Sequence, residues 1–143
     1  MLTVPFFLFL LCLGVANTLD SDFSGSPDGS EQFAEAFTGI LTRRIIAKDQ
    51  PKLGALLSPN FLFNGCGELY NREKTLALFD SVKDDTKVSL NFQKSHWINN
   101  NSDIEYSVLA TGLGVPSFKT QLILHKGNGY YVLTGGKVPK CVV

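Results

Sequence analysis

The 143-residue chain has few of the side chains that usually carry chemistry: 3 Cys, 2 His, 1 Trp and 1 Met. Two histidines without ligand spacing, and cysteines that no second Cys or His accompanies, do not make a zinc site. No metal and no cofactor is expected. No charge of one sign prevails, since 13 Lys and Arg balance 13 Asp and Glu. A nucleic-acid binder carries a basic stripe to neutralise phosphates, and a polybasic membrane-surface protein has a similar excess. Neither kind of partner is expected. No apolar run reaches the roughly 20 residues needed to span a bilayer. A Ser or Cys nucleophile motif is missing. Gly112-Leu113-Gly114 is a lone GxG, followed by Pro116 and a strand-like stretch. A dinucleotide fingerprint needs a helix there.

What is present is material for a core. Apolar residues make up 44% of the chain and include 11 Phe, while charged residues are only 18%. That composition fits one globular domain and argues against disorder.

The longest apolar run, Val4 to Ala16, reads VPFFLFLLCLGVA and has no charge. It fits the h-region of a secretory signal peptide, with Gly14, Ala16 and Thr18 small enough for cleavage nearby. The alternative is a buried N-terminal helix, which nothing nearby would cap or pair. The reading is a signal peptide over residues 1–18, a flexible Ser/Asp/Gly-rich lead-in over 19–29, and one domain over 30–143. The mature protein is then secreted and extracellular, with no membrane span after cleavage. Cys12 leaves with the signal, so Cys66 and Cys141 form an even pair in an oxidising compartment. One disulfide is expected; two separate thiols are the alternative. Asn100-Asn101-Ser102 is an N-x-S sequon in a polar run between strand-like segments. It is either a glycan site on Asn100 or a plain polar turn.

Helical periodicity opens the mature chain. Asp28 and Glu31 are spaced as a capping box, with Asp28 as N-cap. Phe33, Phe37, Ile40, Leu41 and Ile45 follow at helical spacing to about Lys48. Asp49 and Pro51 start a short second helix with Leu53, Leu56 and Leu57 as its face, ended by Ser58-Pro59-Asn60. Phe61 to Asn64 is a short strand, and Gly65 and Gly67 suggest a bend around Cys66. Asn71 caps a third helix with Leu76, Phe79 and Val82 inward. After Asp85 the period becomes two. Val88, Leu90 and Phe92 share a face. Ile104, Tyr106, Val108 and Ala110 follow in the next strand, then Phe118, Leu122 and Leu124, then Tyr130 and Val132. Lys126-Gly127-Asn128-Gly129 makes a hairpin turn. Helices segregated before an antiparallel sheet give an α+β architecture.

This order resembles the NTF2-like superfamily, which includes ketosteroid isomerase, scytalone dehydratase and SnoaL-like proteins. The resemblance rests on Ala47-Lys48-Asp49, Leu53-Gly54-Ala55-Leu56-Leu57 and Ser58-Pro59-Asn60-Phe61-Leu62-Phe63, then on the helix from Asn71 to Val82 and the four-strand meander. It covers about Glu31 to Cys141. The chain is also similar to small secreted NTF2-like proteins of nematodes. The resemblance implies a cone: three N-terminal helices on a curved, mostly antiparallel sheet, with the first strand between helices 2 and 3. It also implies a pocket and a homodimer. Isomerase-like members place a carboxylate base just after the first strand and an oxyanion-binding Tyr in the first helix. Here the matching positions fall near Gly65, beside Asn64 and Cys66, and at Leu41. None is acidic and none is Tyr, which argues against proton-transfer catalysis.

Weak catalytic candidates remain in His96, Tyr106 and Glu68. His96 shares the Val88 face by parity, as does Lys94, unless a bulge near Lys94 turns both outward and brings Trp97 in. The pocket candidates are Phe37, Phe63, Phe92, His96 and Tyr106. On the opposite face, parity places Trp97, Leu109, Ile123, Tyr131 and Leu133, an apolar patch suited to a partner or a second copy. Three readings follow. The first is a non-catalytic module holding a small apolar ligand in the cone. The second is a protein-interaction or homodimerisation module using the outer sheet face. The third is an enzyme of isomerase, dehydratase or hydrolase type.

Overall fold

A computed structural model describes residues 28–113 and 116–140. Residues 1–18, expected to be a signal peptide, most of the expected lead-in and Cys141 lie outside the described residues. Helix α1 spans Ser30–Ala47 and α2 Gln50–Gly54. Strands β1 (Leu57–Asn64) and β2 (Leu69–Asn71) follow, then helix α3 (Arg72–Asp80). Strands β3 (Ser89–Ile98), β4 (Asp103–Thr111), β5 (Phe118–Lys126) and β6 (Tyr131–Lys137) complete the chain. The six strands form one sheet in the order β2-β1-β6-β5-β4-β3. Every pairing is antiparallel except β1 with β6. The sheet is curved and unclosed, and helices cover its concave face.

Local chemistry accounts for most boundaries. Asp49 caps α2 by accepting from Lys52 N at 3.3 Å, with Pro51 in the first turn. Asn71 caps α3 by accepting from Lys74 N at 2.9 Å. Lys48 closes α1 in the left-handed conformation, with its N–H on the last-turn carbonyls. At the start of α1 the expectation needs correction. The N-cap is Gly29, not Asp28. The Asp28 carboxylate accepts from Ser30 N at 3.1 Å and from Ser30 Oγ at 2.8 Å. Its other oxygen takes Trp97 N, so Asp28 joins the helix start to β3. The lead-in is therefore anchored at its last two residues.

A second correction concerns Ser58-Pro59-Asn60, which lies within β1 and does not terminate α2. The register shifts between Leu57 and Leu62, and the irregularity accommodates a proline that cannot donate to a ladder. The three-residue β2 was too short to leave a periodic signal.

The core lies between the concave face of the sheet and the helices. Ala34, Phe37, Leu41 and Ile45 of α1 meet Ile104, Tyr106, Val108 and Leu124, all buried. Gly135 and Gly136 allow the tight approach of β6 to its neighbours. A Cβ at Gly135 would lie 2.6 Å from Leu62 O, and one at Gly136 would lie 2.4 Å from Gln121 O.

Candidate functional site

A cavity of about 440 Å³ opens within the cone, inside the range typical of small-molecule sites. Leu41 and Ile45 of α1 and Leu78 and Phe79 of α3 supply its helical wall. Val108 and Ala110 of β4, with Phe118, Thr120 and Leu122 of β5, supply its floor. Leu57, Phe61 and Phe63 of β1, Leu133 of β6 and the β1–β2 turn around Gly65 and Cys66 complete it. No Asp, Glu, His, Lys or Arg lines this wall among the described residues. The helical wall arises because Leu41 and Ile45 are one turn apart on the inward stripe of α1.

The positions at which isomerase-like proteins hold their acid–base pair by resemblance, near Gly65 and at Leu41, both face this cavity. They present a backbone turn and an aliphatic side chain. At those two positions the cavity has neither a carboxylate nor a phenol, and Tyr70 is the one phenol in its wall.

Of the five expected pocket residues, Phe63 lines the cavity. Phe37 is buried in the core outside the wall, and Phe92 packs against Tyr106 with ring centroids 6.4 Å apart. Tyr106 itself is sealed between sheet and α1 at 2% exposure. Burial raises its phenol pKa well above the ordinary value, and the nearby Thr38 hydroxyl acts weakly in the opposite sense. His96 takes the second of its two expected placements and leaves the pocket candidates, turned outward by a bulge. The β3–β4 register shifts between Phe92 and Lys94, a bulge that flips the remaining residues. Ser95 becomes buried and His96 exposed on the convex face, where His96 Nε2 lies 3.1 Å from Glu105 Oε1. Glu68 is also away from the cavity wall, exposed and paired with Lys74 at 3.0 Å.

The convex patch is smaller than parity suggested. Trp97 follows the bulge inward and meets Phe33 of α1 edge-on at 5.8 Å. Tyr131 stacks on the Phe33 ring with centroids 5.6 Å apart. Leu133 is buried in the cavity wall, paired with Leu124. The β6 expectation was one residue out of phase, because the strand begins at Tyr131 opposite Lys126. Tyr130, expected inward, is 53% exposed. Leu109 and Ile123 do stay on the convex face, beside two His–carboxylate pairs, His96–Glu105 and His125–Asp103.

Asn100 is exposed at the β3–β4 turn, where Asn99, Asn100 and Asn101 all take positive φ. Asn tolerates that conformation better than most residues. No cluster of three or more His, Cys, Asp or Glu that could hold a metal occurs among the described residues. No helix among them is long and apolar enough to cross a membrane.

A curved, helix-backed sheet around an apolar cavity defines a class of small α+β domain built around a pocket open to solvent. The chain belongs to the NTF2-like family: the NTF2-like domain model matches residues 31–143. Solved structures share the fold. An NTF2-like protein from Cytophaga hutchinsonii superposes with a TM-score of 0.59 at 14% identity, covering 76% of this chain and 96% of that one. ActVI-ORFA from Streptomyces coelicolor gives 0.56 at 16% identity, covering 76% and 95%. An NTF-2 like protein of unknown function from Shewanella oneidensis gives 0.58 at 12% identity, covering 73% and 93%. No curated protein matches the sequence.

Proposed function

We propose that this chain is a secreted, non-catalytic NTF2-like domain that holds a small apolar ligand inside its cone. The observation that carries this reading is the cavity of about 440 Å³, whose wall offers aliphatic and aromatic side chains and no charged one. Apolar surface withdrawn from water there contributes about 25 cal/mol per Å². A general acid or base must lie within hydrogen-bond reach of its proton, and the titratable candidates His96, Glu68 and Tyr106 all lie off the wall.

Secretion is supported by the uncharged apolar run Val4 to Ala16 and by the exposed Asn100 sequon. The Cys66–Cys141 disulfide belongs to the same reading. β6 runs parallel to β1 with Lys137 opposite Asn64, and Val138 N donates to Asn64 O at 3.0 Å. That register sets Val138 beside Asn64, two residues before Cys66.

The pocket reading is tested by titrating the purified protein with the uncharged fluorescent probe N-phenyl-1-naphthylamine. Saturable enhancement is expected for the wild type and strong loss of it for Ala110→Phe, which fills the cavity from β4. A wild type that gives no saturable signal contradicts the reading.

A further inference from the structure

Thr120 breaks the apolar alternation of β5 between Phe118 and Leu122. It is 5% exposed and lies on the concave face opposite Val108, so its side chain forms part of the cavity wall. Its hydroxyl is buried with no hydrogen-bond partner. The wall also holds the hydroxyls of Thr75 and Tyr70. Thr75 Oγ1 donates to Asn71 O at 2.8 Å, and the half-buried Tyr70 sits by the β1–β2 turn. Tyr106 Oη also lacks a partner but stands outside the wall. Thr120 is thus a buried, unspent donor on a mostly apolar wall.

An unpaired buried hydroxyl is costly, and a strand position facing a core accepts Val at equal volume. A rotation between staggered wells at χ1 brings the Thr120 hydroxyl to the place of its methyl, and the methyl to that of Hβ, without moving the strand. Resting on the pocket reading above, we infer that Thr120 Oγ1 is the polar anchor of the cavity. The ligand is then a neutral, largely apolar molecule with one oxygen that accepts a hydrogen bond from the Thr120 hydroxyl. A carboxylate or phosphate ligand does not fit, because the wall has no cation to pair with it.

The test uses displacement of N-phenyl-1-naphthylamine by two compounds of nearly equal shape, 2-acetylnaphthalene and 2-ethylnaphthalene. The ratio of their affinities cancels the shared apolar contact. That ratio is expected to favour the ketone about tenfold more in the wild type than in Thr120→Val, with 2-ethylnaphthalene binding both proteins equally. Thr120→Ser should restore the ketone preference. Thr120→Val should melt at or above the wild-type temperature, since it removes an unsatisfied group. An unchanged ratio overturns the anchor and leaves the pocket reading standing. A Thr120→Val protein that melts well below the wild type also overturns it, because the hydroxyl then has a partner within the fold. Failure of the probe to bind the wild type overturns both.

Discussion

Asp28 holds Trp97 by two separate atoms: its Oδ2 accepts from the Trp97 backbone N–H at 2.8 Å and its carbonyl oxygen accepts from the indole Nε1 at 3.1 Å. Together these bonds fix the start of α1 to the end of β3, while Lys126 lies over the indole at 5.8 Å. Trp97 is the only tryptophan, so its emission reports this contact directly. Asp28→Ala should destabilise the domain by about 1–2 kcal/mol and shift the emission to the red. Urea melts followed by fluorescence check both.

Tyr106 makes stability depend on alkaline pH. Its folded pKa is raised by burial above the ordinary value of about 10. Between the two values the unfolded chain releases a proton that the folded one keeps, so the unfolded state binds fewer protons. Stability from this group is full below pH of about 10 and falls above it, by up to about 1.4 kcal/mol per pH unit. Tyr106→Phe should flatten that decline and cost little at neutral pH, because it removes an oxygen with no partner. Urea melts from pH 8 to 11 on both proteins decide it.

The phase of β6 predicts opposite sensitivities for two residues that parity placed together. Leu133 is 3% exposed in the cavity wall, whereas Ile123 is half-buried on the convex face. Leu133→Ala should cost about 2–5 kcal/mol and Ile123→Ala about 1 kcal/mol. Equal losses in chemical denaturation would put the strand back in its sequence-based phase.

Arg72 serves as a clamp on backbone oxygens. It donates to Gly54 O at 2.8 Å through a terminal nitrogen and to Leu57 O at 3.3 Å through Nε. It thereby ties the end of α2 and the start of β1 to α3. Arg72→Ala should cost about 1.5–3 kcal/mol, and Arg72→Lys should recover only part, because an ammonium lacks the planar fork. Thermal melts of the two variants measure the difference.

The architecture was readable because its signals are local and repeated. Asp49, Pro51 and Asn71 mark helix starts by their own chemistry, and the alternation through Ile104, Tyr106, Val108 and Ala110 fixes one face of β4. The site was much less readable. Strand parity is exact only until a residue is inserted, and the bulge between Phe92 and Lys94 inverts His96 and Trp97 together. The one-residue offset of β6 misplaced Tyr131 and Leu133 in the same way. Phe37 and Phe63 look alike in a hydrophobic pattern, yet only the second meets the cavity. Whether an apolar residue fills a core or lines a void depends on packing in three dimensions. Thr120 was the visible exception, a polar residue on the apolar alternation of β5.

The central claim is that the cone is occupied by a small apolar molecule. Mass spectrometry of protein recovered from the medium of a secretory expression tests it most directly, first under native and then under denaturing conditions. The account predicts a stoichiometric adduct in the native spectrum that is lost on denaturation, and a polypeptide mass lacking residues 1–18. Protein that is secreted with a clean apo mass, and then takes up no apolar compound on incubation, would contradict it.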